Sequence, residues 1–418
     1  MIRNDEAQEG AGTVKETKKG QLVKRLLSDS AWSIAGLVLM NMTAQFAVYP
    51  LWNRELGNES YGRILYLIAG MNIIAVSMGV ACNYARMKAS AEGKTENRPY
   101  SRMLLITTCA MVPWCVLVSL FAGAEGPDLP ETGLLILLGA ATMWRYYADV
   151  EYRLKLDYKG FFVYYLVISI GYGIGIGLFL WLKLWPLALL PGELAGIFLV
   201  YRRGAVLRKI ETENAGQDKA VTGMVTTLFA TEVISNLILN GDRVLLNLLV
   251  NATAVTVYYQ ASLMGKTMTL VTTPLNSVLI GYLSRVKGGL TKKIMNLVTL
   301  ACLAVVPIAT LVATIGSHIL IRILYPQNYE LVSPYFIMAN TAQVAFFVSG
   351  VAATVLLRFC KTGYQLYINL VYAGLFVALC IPGVLLWQVE GLCIGMMAAG
   401  LLKLGYVLLL GYKSIKNS

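Results

Sequence analysis

A run of about 20 predominantly apolar residues, enough to cross a bilayer as a helix, recurs twelve times along this chain. The runs fall at 31–52, 64–85, 103–123, 134–152, 161–180, 184–201, 225–248, 256–283, 294–317, 333–357, 367–387 and 391–412. Backbone N–H and C=O groups in hydrocarbon must be satisfied within the segment, so each run is expected to be helical. Hydrophobic residues make up 57% of the chain and charged residues 14%, with a mean hydropathy of +0.62. Soluble domains are nearer one quarter charged, and disordered, collagen-like and disulfide-scaffold chains have other compositions again. The fold class predicted is an all-α integral membrane protein with about twelve transmembrane helices.

The net charge of +12 would suggest nucleic acid if the basic residues formed a soluble patch. They sit between the apolar runs instead. Counted by alternate loops, 27 Lys and Arg fall on one side and four (Arg54, Arg63, Lys183 and Arg322) on the other. That asymmetry is the positive-inside bias of a polytopic protein, and it puts both termini in the cytoplasm. Nucleic acid is not an expected partner. The first 30 residues are polar and lack the apolar core of a signal peptide. The expected organisation is a cytoplasmic tail at 1–30, a six-helix lobe at 31–201, a cytoplasmic linker at 202–224, a second six-helix lobe at 225–412 and a short cytoplasmic tail at 413–418. An offset of 193 residues aligns Leu56 with Leu249, Asn58 with Asn251 and Tyr66 with Tyr259, a faint trace of internal duplication of the kind found in transporters. Trp52, Trp181, Trp185 and Trp387 all fall toward the outer interface, as an aromatic belt would.

Several chemistries have no support in the sequence. Gly265-Lys266-Thr267 imitates the end of a phosphate-binding loop, but Gln260 stands where its first glycine belongs. The single histidine, His318, reads as an interfacial residue. Six of the seven cysteines lie inside apolar runs without CxxC spacing, so neither a metal centre nor a disulfide framework is expected. The outer loops are too short to house a catalytic domain. No metal, no cofactor and no enzymatic activity is predicted.

The informative residues are the ionisable ones within the runs, because each costs several kcal/mol if it faces lipid. The cations are Arg145, Arg243, Lys266 and Lys403; the anions are Asp149, Glu193, Glu232 and Asp242. Four cations converging on one cavity would hold an anionic group, and phosphate is the obvious class. Arg145 and Asp149 are spaced i,i+4, so mutual neutralisation is the competing reading for that couple; Lys266 and Lys403 have no local partner. Glu232, Asp242 and Glu193 are candidates for ion coupling. Tyrosines between Tyr146 and Tyr165 could stack on sugars or anchor helices. Gly171, Gly173, Gly175 and Gly177, and Gly391 with Gly395, have the GxxxG spacing of close helix contacts. Pro113, Pro191, Pro274, Pro307 and Pro382 mark sites for kinks.

The stretch Tyr49-Pro50-Leu51-Trp52-Asn53-Arg54-Glu55-Leu56-Gly57-Asn58-Glu59-Ser60-Tyr61-Gly62 resembles the end of the first span in polysaccharide exporters of the MOP superfamily. Asp242-Arg243 followed by Leu245, Leu246 and Tyr258-Tyr259 is similar to their seventh-span region, as are Pro274 in the eighth span and Gly391 through Gly400 in the last. In length and span count the chain is most similar to Wzx-type flippases. It departs at 249–256, where glycines often found in that family's second turn are missing. The resemblance implies two six-helix lobes in a V around a central cavity, in a bacterial cytoplasmic membrane. It implies flipping of an undecaprenyl-pyrophosphate-linked oligosaccharide by alternating access, with Arg145, Arg243, Lys266 and Lys403 on the pyrophosphate. Partners would be that lipid-linked substrate, membrane lipids and other glycan-assembly proteins. The rival readings are a MATE-like cation-coupled drug antiporter, a membrane glycan polymerase or acyltransferase, and a non-transporting scaffold.

Overall fold

The computed structural model describes residues 31–92, 96–123, 128–208, 215–268, 290–359 and 363–416. The tail at 1–30, Pro274, Cys360 and the second part of the eighth predicted span lie outside the described residues. Helices account for nearly all of the rest. Seven continuous stretches are long and apolar enough to cross a membrane. Two of them, 61 and 49 residues long, are too long for one crossing, and each contains a sharp break. At Gly57 the backbone turns with φ 82 and ψ 175, a region open only to glycine. At Trp387 and Gln388 a second non-helical turn splits the last stretch.

The first half therefore comprises α1 (31–56), α2 (58–91), α3 (Arg98–Leu120), α4 (Leu129–Ala148) with a short continuation α5 (Val150–Lys155), α6 (Tyr158–Leu182) and α7 (Leu190–Arg203). The second half comprises α8 (Ala215–Leu249), α9 (Ala252–Thr267), α10 (Lys292–Leu324), α11 (Phe336–Phe359), α12 (363–386) and α13 (389–416). Each break has a local cause. A π-helical turn at Ala44–Val48 precedes Tyr49-Pro50 in α1. Asn251 caps α9, its side chain accepting from the Ala254 N–H at 2.8 Å, and Asp157 does the same for α6 through Gly160 at 2.9 Å. Pro191 lies in the first turn of α7, where its missing N–H costs nothing, so it starts that helix and does not kink it. Pro113, Pro307 and Pro382 lie inside helices.

The outer wall is apolar. On α10, Leu297, Leu300, Ile308, Leu311 and Ile315 are all exposed at helical spacing, a face built for lipid. Only part of the glycine pattern is used for packing. Gly171 and Gly175 of α6 lie against Gly192 and Ala188, whereas Gly173 and Gly177 face open space. Gly391 and Gly383 touch backbone to backbone where α12 and α13 fold together, and Gly395 meets Cys380. The belt of tryptophans is partial: Trp181 and Trp387 are exposed, but Trp52 and Trp185 are buried with their rings 5.5 Å apart. His318 bonds through Nδ1 to Tyr329 Oη at 2.8 Å and packs edge-on to Phe336, a structural role. The six described cysteines are free.

The halves meet along α2, which packs on both α8 and α9. Although α8 belongs to the second half by sequence, it lies along α2 for much of its length. Asn236 donates to Ser77 Oγ at 3.0 Å, and Asn247 donates to the Phe121 carbonyl at the end of α3 at 2.8 Å. We call the end of the bundle carrying Arg86, Arg98, Arg153, Lys155, Arg202 and Arg203 the basic end, and the opposite end the sparse end. At the sparse end Gly62 lies so close to the Ala252 carbonyl that any side chain there would collide with it.

Candidate functional site

Two ion pairs among the intramembrane charges stand one in each half. On the first-half side, Arg145 near the end of α4 donates from Nε to Glu193 Oε2 of α7 at 2.6 Å, and both side chains are only 4% exposed. Tyr172 of α6 donates to the other carboxylate oxygen at 2.6 Å. The guanidinium stacks over the Tyr146 ring, 3.9 Å from its centroid, and its Nη1 is buried without a hydrogen-bond partner. Arg145 thus pairs across helices and not with Asp149. The backbone at Asp149 is still helical, its N–H bonding the Arg145 carbonyl at 3.3 Å, so the two side chains part because each has other partners. Asp149 is occupied by Arg153 at 3.1 and 3.2 Å, Tyr165 at 2.9 Å and Asn83. Tyr164 donates to the Arg145 carbonyl at 2.9 Å, so the tyrosines of this stretch include ones that hold helices together.

On the second-half side, Lys266 of α9 forms an ion pair with Asp242 of α8 and lies over the rings of Tyr258 and Tyr259 at 5.5 and 5.9 Å. The partner that sequence proximity could not supply comes from the neighbouring helix, 24 residues away. Arg243 sits 4.9 Å over the Tyr259 ring. Its guanidinium has no acidic partner among the described residues, and its Nε is buried and unbonded. Tyr49 links the two sides: its ring is 5.9 Å from Tyr259, and it lies within electrostatic reach of Arg243, Tyr146 and Glu193. Arg145, Arg243 and Lys266 therefore share one region with two carboxylates, a surplus of positive charge. Lys403 stands apart. It is 4% exposed inside the second half, clasped by Phe346 of α11 at 3.9 Å and Tyr372 of α12 at 4.8 Å. Of the coupling candidates, Glu193 and Asp242 are held in ion pairs, and Glu232 lies lower on α8 with its carboxylate unpaired among the described residues.

Above this cluster the sparse end is closed by uncharged groups. Asn328 donates to Asn58 Oδ1 at 2.7 Å, to Gln260 Oε1 at 3.0 Å and to Asn53 Oδ1 at 3.2 Å. Gln327 also donates to Asn53 at 2.8 Å, and Thr256 donates to the Asn58 carbonyl at 2.7 Å. Tyr61 and Tyr325 meet hydroxyl to hydroxyl at 3.2 Å across the seam. At the rim, a hydrogen bond of 2.7 Å from Lys183 holds the Glu55 carboxyl below the usual carboxylate range. No group of three or more His, Cys, Asp or Glu able to hold a metal occurs among the described residues.

Residues 141–334, just under half of the chain, match the profile of a polysaccharide biosynthesis protein family. No curated protein sequence matches the chain significantly. Among solved structures, the lipid II flippase MurJ in an inward closed conformation superimposes with a TM-score of 0.70 at 13% identity, covering 93% of this chain and 90% of that one. The Vibrio cholerae MATE transporter VcmN in its bent form gives 0.59 at 16% identity, covering 96% and 98%. The chain has the MOP transporter fold. A further MOP superfamily transporter, from Pyrococcus furiosus, described as having a binding pocket of reversed polarity, gives 0.60 at 14% identity over 94% and 96%. At these identities the likeness is one of MOP fold alone. The family match and the shared fold support the resemblance seen in the sequence, to polysaccharide flippases of the MOP superfamily. The protein is a multi-pass membrane protein.

Within this MOP fold the charged residues at the seam were visible in the sequence as intramembrane ions. The residues missed were Tyr49, Tyr259 and the carboxamides Asn53, Asn58, Gln260 and Asn328. Asn53 and Asn58 lie inside the motif that carries the resemblance, so the signal was present there without a stated role.

Proposed function

We propose that this protein moves a polyprenyl-pyrophosphate-linked oligosaccharide, of the undecaprenyl type, across the bacterial cytoplasmic membrane by alternately exposing the seam to its two sides. The observation that carries this reading is the surplus of cations at the seam. Arg243 has no acidic partner among the described residues, Arg145 keeps an unbonded Nη1, and Lys266 is incompletely buried beside them. A guanidinium that has left water needs an acceptor, and a pyrophosphate oxygen offers one in the fork geometry Arg favours. Glu193 and Asp242 neutralise two of the three cations when the site is empty, so an arriving dianion competes with carboxylates and not with water. The polyprenyl tail stays in the bilayer.

The basic end is assigned to the cytoplasm by its Lys and Arg content. The carboxamide closure then seals the outer side, and the halves would be ready to receive substrate from within. Lys403 has a supporting role inside the second half, farther from the headgroup than its three fellow cations. Glu232, unpaired on α8, is the strongest candidate for ion coupling; Asp242 and Glu193 couple by exchanging partners when the headgroup binds. The alternative of a MATE-like drug and cation antiporter is disfavoured because cations outnumber carboxylates at the seam.

The test is complementation of a flippase-deficient strain, scored by surface polysaccharide at matched protein level. Arg243→Ala and Lys266→Ala are each expected to abolish surface glycan and to accumulate lipid-linked precursor. Normal glycan from both variants rejects the headgroup site; sensitivity to cationic dyes with intact glycan selects the antiporter.

A further inference from the structure

Next to the cation cluster, toward the sparse end, is a compartment of different chemistry: aromatic rings and carboxamides, with no charge. Tyr61 and Tyr259 meet edge to face at 6.2 Å, Tyr61 continues to Tyr325 at 6.1 Å, and Trp52 stacks on Tyr49 at 5.1 Å. The carboxamide of Asn328 bonds Asn58 across the seam and Gln260 within its own half. Most of this compartment is buried, and it is not fully satisfied. Trp52 and Gln260 are both 0% exposed, yet Trp52 Nε1 and Gln260 Nε2 have no hydrogen-bond partner. A buried donor left unbonded costs about 1–3 kcal/mol, so each of these marks room for an acceptor.

We infer that this aromatic and carboxamide compartment is the half of the site that binds neutral sugar rings, with Trp52, Tyr61, Gln260 and Tyr325 as its principal contacts. The inference rests on the reading under Proposed function and adds to it the chemistry of the glycan. Pyranose rings present axial C–H faces that lie on aromatic planes and hydroxyls that both donate and accept. Planar amides and an indole N–H match them without the desolvation that a charged side chain brings. The position fits the substrate, because Tyr259 borders both Arg243 and Tyr61. A pyrophosphate held by the cations would direct its first sugars into this compartment. Without substrate, the same groups close on each other, which is why donors are left over: a network cut to fit hydroxyls pairs imperfectly with itself.

The experiment uses the full-length protein in lipid nanodiscs and two probes, a bare long-chain polyprenyl pyrophosphate and the same lipid carrying a neutral disaccharide. Wild-type protein is expected to bind the glycosylated lipid at least about tenfold more tightly, since sites built to hydrogen-bond hydroxyls discriminate strongly against their absence. In Gln260→Met and in Trp52→Phe the ratio of the two affinities is expected to fall toward one. The free disaccharide in excess should compete only against the glycosylated probe, a measurement on wild-type protein that needs no variant to fold. Equal affinity for the two lipids in wild type, with headgroup binding intact, overturns this inference alone. Failure of wild type to bind either lipid overturns the headgroup reading and this inference together. An unchanged affinity ratio in both folded variants removes these residues from glycan binding.

Discussion

Arg145 and Glu193 form a pair buried in a setting where neither can be left alone. Taking one charge away strands the other, at a cost of about 3–5 kcal/mol, whereas removing both together costs far less. Arg145→Leu and Glu193→Leu should each lower the unfolding temperature in detergent sharply, and the double variant should recover most of the loss; equal or additive losses would show that the two act separately. Pairing of this kind is where sequence reading is weakest. The presence of an intramembrane ion is visible in one dimension, but its partner is chosen by helix packing. Arg145 had a mate four residues away in sequence and took another 48 residues away, while the nearer one is held by Arg153, Tyr165 and Asn83. The unbonded guanidinium of Arg243 was equally unreadable, since nothing in a sequence says which ions remain unneutralised.

At the level of elements, glycine spacing needs the third dimension to be useful. Gly171 and Gly173 look alike in sequence, yet one meets Gly192 and the other faces open space. Gly171→Ala should destabilise by about 1–3 kcal/mol through overpacking between α6 and α7. Gly173→Ala should be neutral or slightly stabilising through helix propensity. Thermal unfolding of the two purified variants side by side checks both. Gly57→Ala tests the turn between α1 and α2 and should cost about 1–3 kcal/mol, because its backbone conformation strains any residue with a Cβ. The helices themselves were legible because their lengths follow from the thickness of hydrocarbon, and the breaks because turns need particular residues. The length of α7, only 14 residues, was not legible: apolar character continues upstream of Leu190 through a 3-10 turn at Trp185–Ala188 that the hydropathy pattern does not separate.

For the whole molecule, the decisive question is whether the sparse end must open for transport. Asn58 and Asn328 touch across the seam, so cysteines at both positions, in a background without other cysteines, can be joined by a short reducible linker. Cross-linking is expected to stop export and reduction to restore it; transport that continues through the linked protein would rule out opening at this seam. The all-helical, membrane-spanning character was readable from periodicity and charge. The closure was not, because it is made of neutral side chains that leave no mark in a charge count.

The placement of α8 has a consequence for how such a molecule can move. Sequence order assigns this helix to one half, while its bonds to Ser77 and to the Phe121 carbonyl moor it to the other. Any rocking must therefore either slide α8 along its mooring or tow it across, leaving the short joint before α9 to absorb the stroke. The line along which such a molecule divides in motion is then displaced by one rod from the midpoint of its sequence.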